Sequence, residues 1–298
     1  MALRIIYGRA GTGKSKFCIR QIKNKIENSN KLVLIVPEQF TFQTENRMLE
    51  EIGEKYVLKA EVLSFKRLAY KVFNSCGGSD KSLISDAGTS MLIYKVLEEL
   101  GKELATFVTA SKKQGFIDVL SKTITEFKKY NVDNSILENV LKDIDDEDLH
   151  NKLKDLSVLF NCFNDKLHKG HIDGEDRLSL LNEKLNDCSI YDGAEIFIDE
   201  FTTFTPIQLE IITKLLKKAK NVNITLSMDN INSKALYSDL FTTTKSTERK
   251  LLKVLEENNI KFNGYVDLNK DVPYRFVNRK ELQAIEKNIY AYPFERYD

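Results

Sequence analysis

Residues Gly8-Arg9-Ala10-Gly11-Thr12-Gly13-Lys14-Ser15 match the spacing G-x-x-x-x-G-K-[ST]. No other stretch constrains the fold as much, because this loop works only between a strand and a helix. Both neighbours are present. Leu3–Tyr7 (LRIIY) is a short apolar run rich in isoleucine, and Phe17, Cys18, Ile19, Ile22 and Ile26 recur at helical spacing. Glycines let consecutive backbone N–H groups turn toward one centre, and the following helix adds its positive end, so the loop is expected to cradle phosphates. Lys14 would reach the β/γ-phosphates of ATP, and the Ser15 hydroxyl would ligate Mg²⁺.

The same texture continues. Lys31–Val36 (KLVLIV) is apolar without alternation, as buried parallel strands are, and Pro37 ends it. A helix is expected through Glu45–Ile52. Glu61-Val62-Leu63-Ser64 reads as a third strand, leading into a helix with Leu68, Val72 and Phe73. Strands alternating with helices predict an α/β fold with a parallel sheet and right-handed crossovers. After a long gap the pattern returns at Glu195–Ile198, in a helix opened by Pro206, and in the strand Asn221–Leu226. Further helices are expected at Glu248–Leu255 and Arg279–Ile289, with a strand near Phe262–Val266.

Between these blocks, from about Ser79 to Tyr191, the periodicity is helical and no strand signal is evident. The expected organisation is a core of residues 1–78 and 192–298 with an all-helical insertion at 79–191. Within the insertion, helical spacing is clearest at Thr89–Leu100, Phe116–Tyr130, Ile136–Ile144 and Leu149–Leu167. The last residues, Tyr292–Asp298, show neither a closing helix nor a cap, so the sequence reads as the N-terminal part of a longer chain. With 45 Lys+Arg against 44 Asp+Glu, net charge gives no global pull toward nucleic acid or membrane, and binding must come from local patches. There is no apolar run of membrane-spanning length and no signal-peptide pattern. Cys18, Cys76, Cys162 and Cys188 are scattered without a CxxC pair, so reduced thiols and a cytoplasmic location are expected.

The loop needs an acidic partner at the end of another buried strand, and Ile196-Phe197-Ile198-Asp199-Glu200 supplies one. Asp199 is expected to hold Mg²⁺ through water, and Glu200 to act as the catalytic group that orients or deprotonates the attacking water. Other constellations are weaker. Asp143, Asp145, Asp146, Glu147 and Asp148 read as a solvated junction between helices rather than a cation site. Cys162, His168 and His171 lack a fourth zinc ligand. The pairs Lys112-Lys113, Lys128-Lys129 and Lys217-Lys218 read as solvated helix faces more readily than as DNA contacts. Phe40, Phe42 and Phe65 follow presumed parallel strands on the side where α/β sheets bind ligands, and could either pack or stack on bases.

Taken in order, the phosphate loop, IVPEQFTFQTE, VLSFKRLAYKVF and FIDEFTTFTPIQLEII resemble the motif series of superfamily 1 DNA helicases. LFTTTKSTERKLLKVLEE and KNIYAYPF bring the chain closer still to the N-terminal region of the AddB (RexB) family, and the likeness extends over essentially the whole chain. The resemblance implies a P-loop NTPase, RecA-like parallel-sheet core (1A-like) with a 1B-like insertion. Gly8, Arg9, Ala10, Gly11, Thr12, Gly13, Lys14 and Ser15 would bind ATP, and Ser15 and Asp199 would hold Mg²⁺. It places Gln39, Phe40, Ser64, Phe65 and Arg67 in the two motifs that face single-stranded DNA. It also implies an AddA-type helicase/nuclease partner in a heterodimer that processes double-strand DNA ends for recombinational repair, with Chi recognition. A second core and a nuclease domain with a 4Fe-4S cluster are expected in full-length members, outside these residues.

One departure stands out. Helicases place a glutamine sensing the γ-phosphate after the strand equivalent to Val222–Leu226, and here the stretch is Ser227-Met228-Asp229-Asn230-Ile231-Asn232, with Tyr237 beyond. Two readings therefore compete: an ATP-binding, helicase-like segment, or a non-hydrolysing DNA-binding scaffold in which nucleotide is a structural ligand. A stand-alone kinase or regulatory ATPase would need lid arginines, for which Arg275, Arg279 and Arg296 are candidates only by elimination.

Overall fold

In the computed structural model, residues 2–29, 31–54, 59–78, 81–110, 113–231, 240–269, 273–290, 293 and 296 are described. The chain divides into two units, residues 1–75, 185–204 and 208–298, and residues 76–184 with 205–207.

The first unit is built on six strands: β1 (Ala2–Tyr7), β2 (Leu32–Ile35), β3 (Ala60–Leu63), β6 (Glu195–Ile198), β7 (Asn221–Leu226) and β8 (Lys261–Asp267). They form one sheet in the order β3-β2-β6-β7-β1-β8, and every neighbouring pair is parallel. Strands β2 and β6 are buried at every position, which explains their unbroken apolar sequences. Because the strands are parallel, their C-terminal ends lie along one edge, where open α/β sheets bind ligands.

Helices α1 (Lys14–Lys25), α2 (Thr41–Ile52), α3 (Phe65–Cys76), α9 (Pro206–Lys218) and α10 (Thr242–Glu257) belong largely or wholly to this unit. Helix α1 buries Cys18, Ile19 and Ile22, and α2 buries Thr41, Thr44, Met48 and Ile52, so each turns one stripe inward. Leu32, Leu34, Met48, Phe197 and Ile22 meet in one core cluster. A last helix, α11 (Lys280–Asn288), buries none of its residues.

The second unit contains α4 (Asp86–Leu100), α5 (Gln114–Lys129), α6 (Asn134–Lys142), α7 (Glu147–Leu167) and α8 (Gly174–Lys184). Ser85, Asp133 and Asp146 cap the N-termini of α4, α6 and α7 by accepting backbone N–H groups. Ile93, Leu97, Leu120, Ile124, Leu159 and Phe163 share its core. The buried Asp155 carboxylate accepts from the N–H groups of Ala105, Thr106 and Phe107 at 2.7–3.0 Å, which fixes the segment after α4. The insertion, expected to be all-helical, also contains two strands. Strands β4 (Ser82–Leu83) and β5 (His171–Ile172) pair in parallel, and α8 has no counterpart among the helices expected from periodicity. Two-residue strands are too short to leave any periodic signal.

Cys18 and Cys162 are free thiols. Cys76 and Cys188 are each disulfide-bonded rather than free, against the expected reduced state. Ser79, Lys112, Asn232, Tyr237 and Tyr292 lie outside the described residues. No helix among those described is long and apolar enough to cross a membrane.

Candidate nucleotide-binding site

The glycine-rich loop leaves the C-terminal end of β1 and enters α1 through Gly13, whose φ of 91° lies in the left-handed region. No side chain caps α1, so its first N–H groups point at the loop's concavity. Gly11 also has positive φ, 84°. The Thr12 hydroxyl donates to the Arg9 carbonyl at 2.9 Å and closes the loop on itself. Lys14 folds back across it, its Nζ donating to the carbonyls of Gly8 at 2.7 Å and Arg9 at 3.0 Å. Burial lowers the Lys14 pKa from its ordinary value; the charges of Asp199 and Glu200 oppose that shift, and Arg275 adds to it.

Asp199 and Glu200 sit at the end of β6. The Asp199 N–H donates to Ile35 O at 2.9 Å, prolonging the β2–β6 ladder, and its buried carboxylate accepts the Thr225 hydroxyl from β7. Glu200 has φ of 67°, an uncommon conformation for a side chain with a Cβ. Its carboxylate accepts the Ser15 hydroxyl at 2.9 Å. The two halves expected from sequence thus meet through a direct Ser15–Glu200 bond, in a cleft of about 530 Å³ lined by Lys14, Ser15, Asp199 and Glu200. The Cys18 thiol beneath is raised well above its ordinary pKa by burial and then by the two carboxylates, which makes it unreactive.

Four residues from the far end of the chain contribute without carrying a motif. Arg9 pairs with Glu286 of α11 at 2.8 Å, and its N–H donates to Asn269 at 2.8 Å. Arg275 donates its N–H to Gly11 O at 2.9 Å, so the short helical turn Tyr274–Phe276 rests on the loop. The Tyr274 hydroxyl accepts from Lys16 at 2.8 Å, and the Lys16 ammonium stands 4.8 Å from the ring centre. Arg275 lines the cleft, whereas Arg279 and Arg296 do not.

The residues expected to face DNA gather at the ends of β2 and β3. Gln39 is exposed on the short turn Glu38–Phe40. Phe40 packs partly against the core, while Phe42 is 72% exposed. Ser64 donates to the Glu38 carboxylate and accepts the Arg67 N–H. Phe65 is only 5% exposed, edge-on to Phe201 at 5.6 Å. Arg67 pairs with Glu45.

Of the other constellations, Lys128 is buried against Asp173 at 2.6 Å and Asp176 at 2.9 Å. His168 pairs with Asp176 at 3.1 Å. Among the described residues no three His, Cys, Asp or Glu side chains group as a metal site. After β7, Asp229 pairs with the buried Lys245 at 2.9 Å, and Ser227 O accepts the Thr244 hydroxyl.

The first unit is thus an open, parallel α/β sheet with a phosphate-loop sequence at one strand end and paired acids at another. The family model described as "ADDB, N-terminal" matches residues 5–286, and the chain belongs to that family. It is 62% identical to the B subunit of an ATP-dependent helicase/deoxyribonuclease of Clostridium perfringens (strain SM101 / Type A), over 100% of this chain and 26% of that protein. Proteins of the same name from Clostridium botulinum (strain Hall) and Clostridium acetobutylicum are 46% and 44% identical over the same shares. The chain therefore spans about a quarter of the length of these relatives.

Proposed function

We propose that this chain is the ATP-binding, helicase-like segment of the B subunit of an ATP-dependent helicase/exonuclease. The observation that carries this reading is the convergence of Lys14, Ser15, Asp199 and Glu200 in one cleft at the sheet edge. In it, the loop amides and the α1 N-terminus bind the phosphates, and Lys14 exchanges the Gly8 and Arg9 carbonyls for phosphate oxygens. Ser15 and Asp199 offer the hard oxygen donors that suit Mg²⁺, which supplies charge neutralisation at the phosphates. Glu200, released from Ser15, orients or deprotonates water, and Arg275 faces the phosphates from the loop's other side. Tyr274 offers an exposed ring beside the cleft.

On this reading the first unit is a RecA-like, 1A-like core and the second a 1B-like insertion. Single-stranded DNA passes the β2 and β3 ends, with Gln39 and Phe42 as the exposed contacts; Phe40, Ser64, Phe65 and Arg67 shape that surface from behind. The full-length protein acts in the cytoplasm with an AddA-type partner on double-strand DNA ends, in recombinational repair with Chi recognition. Its 4Fe-4S cluster and nuclease lie outside these residues.

A second reading, a scaffold holding nucleotide without turnover, draws on the Ser227–Ile231 loop, which carries no glutamine. Magnesium separates a working site from a fortuitous turn. ATP affinity is expected to rise when Mg²⁺ replaces EDTA, and Ser15→Ala to abolish that rise. An ATP affinity indifferent to Mg²⁺ would count against the reading. Glu200→Gln then addresses turnover in the full-length protein with its partner present: loss of the hydrolysis at this site supports the first reading, and unchanged hydrolysis supports the scaffold.

A further inference from the structure

The cations around the cleft are mostly engaged. Lys14 is held by two loop carbonyls, Lys16 by Tyr274 and Glu51, and Arg9 by Glu286. Arg47 differs. It lines the same cleft from α2, is exposed, and makes no ion pair or side-chain hydrogen bond among the described residues. Its helix is anchored by buried Thr44 and Met48 on either side of it in sequence, so the Arg47 backbone is fixed while its guanidinium is available. Glu50 and Glu51, at i+3 and i+4, share its face, yet Glu51 is taken up by Lys16 at 3.4 Å.

Position along the sheet gives Arg47 a direction. Helix α2 starts at the C-terminal edge, just after β2, and runs back past α1. Arg47 is therefore one turn closer to that edge than Glu51, which sits beside Lys16. In the strand order, β2 adjoins β6, whose end carries Glu200. The Arg275 turn follows β8, at the opposite side of the loop. Arg47 thus reaches the cleft from the helix that follows β2, the strand next to β6, and Arg275 from the turn that follows β8.

We propose that Arg47 is a nucleotide-contacting residue that binds the terminal phosphate of a nucleoside triphosphate and makes this chain prefer triphosphate over diphosphate. The inference rests on the nucleotide-site reading above. A guanidinium suits this task because its planar fork matches two phosphate oxygens and it keeps its charge at any accessible pH.

Calorimetric titration of Mg-ATP and Mg-ADP into wild type, Arg47→Ala and Arg47→Lys tests it. Arg47→Ala is expected to lose about tenfold in ATP affinity, as for one charge-assisted contact, and to bind ADP within about twofold of wild type. Arg47→Lys should recover part of the loss. An exposed, unpaired side chain leaves little reason for misfolding, and an unchanged thermal midpoint would verify that. ATP and ADP affinities that both stay at wild-type values would overturn the proposal while leaving the nucleotide site intact. Equal losses for both nucleotides would overturn the assignment to the terminal phosphate. Absence of ATP binding in wild type would instead remove the underlying site reading.

Discussion

The side chain of Asn269 holds the backbone of Arg9, its Oδ1 accepting the Arg9 N–H at 2.8 Å while its Nδ2 donates to Asp229 O at 2.8 Å. One amide thereby ties the glycine-rich loop to the segment after β7. Asn269→Ala is expected to cost about 1–2 kcal/mol in urea unfolding, because it leaves a partly buried N–H without its partner. ATP affinity should fall with it, since the loop loses an outer support. Full stability and wild-type affinity would show that the bridge is incidental.

Thr225 and Asp199 are both almost fully buried, and the threonine hydroxyl donates to the aspartate carboxylate. Thr225→Val keeps the shape and removes the donor, so a buried carboxylate oxygen loses a partner at a cost of about 1–3 kcal/mol. Thr225→Ser should restore most of it. Chemical denaturation of the three proteins provides the comparison, and a valine variant as stable as wild type would contradict the assignment.

Gly11 and Gly53 both adopt positive φ, 84° and 88°, but only Gly11 is crowded. A Cβ on Gly11 would stand 2.9 Å from the Arg275 Cβ, whereas one on Gly53 would meet nothing within 4 Å. Gly53→Ala should therefore cost only the backbone penalty of its φ 88°, ψ 156° conformation, about 1–3 kcal/mol. Gly11→Ala should cost more and weaken nucleotide binding besides, by pushing the Tyr274–Phe276 turn off the loop. Equal costs with unchanged binding would refute the close approach.

Acid stability should respond to the second unit. For Asp176, burial tends to raise the pKa, but Lys128 and further hydrogen bonds hold the carboxyl below its ordinary value of 3.8. A depressed folded pKa means that its contribution is present above pH 3.8 and is lost as pH falls through the lower folded value. Asp176→Asn should destabilise by about 1–3 kcal/mol at neutral pH, since Lys128 stays buried with Asp173 alone. The gap between variant and wild type should shrink in strong acid. A gap that is constant with pH would assign the effect to packing.

Much of the first unit is legible in the residues alone. Lys31–Val36 and Glu195–Ile198 are largely apolar without alternation because parallel strands are covered on both faces, whereas Asn221–Leu226 alternates in sequence yet buries Asn223 and Thr225 with its apolar residues. The glycine-rich loop has a fixed spacing, so counting places Lys14 and Ser15 at its junction with α1. What stays hidden is nonlocal or short. Arg9 meets Glu286, and Gly11 meets Arg275, across almost the whole chain, and no local pattern encodes such pairs. Strands β4 and β5 have two residues each. Aromatic identity alone cannot divide Phe42, which is exposed, from Phe65, which packs on Phe201, since both follow strand ends.

Residues 8–15 are proposed to form a working phosphate site. The most direct test is an equilibrium titration of this chain with Mg-ATP, run beside Lys14→Ala. Saturable one-to-one binding by wild type, with affinity reduced at least about tenfold in a folded Lys14→Ala, is the predicted result. Folded wild type that binds no Mg-ATP, or a Lys14→Ala variant that binds as tightly as wild type, would contradict it.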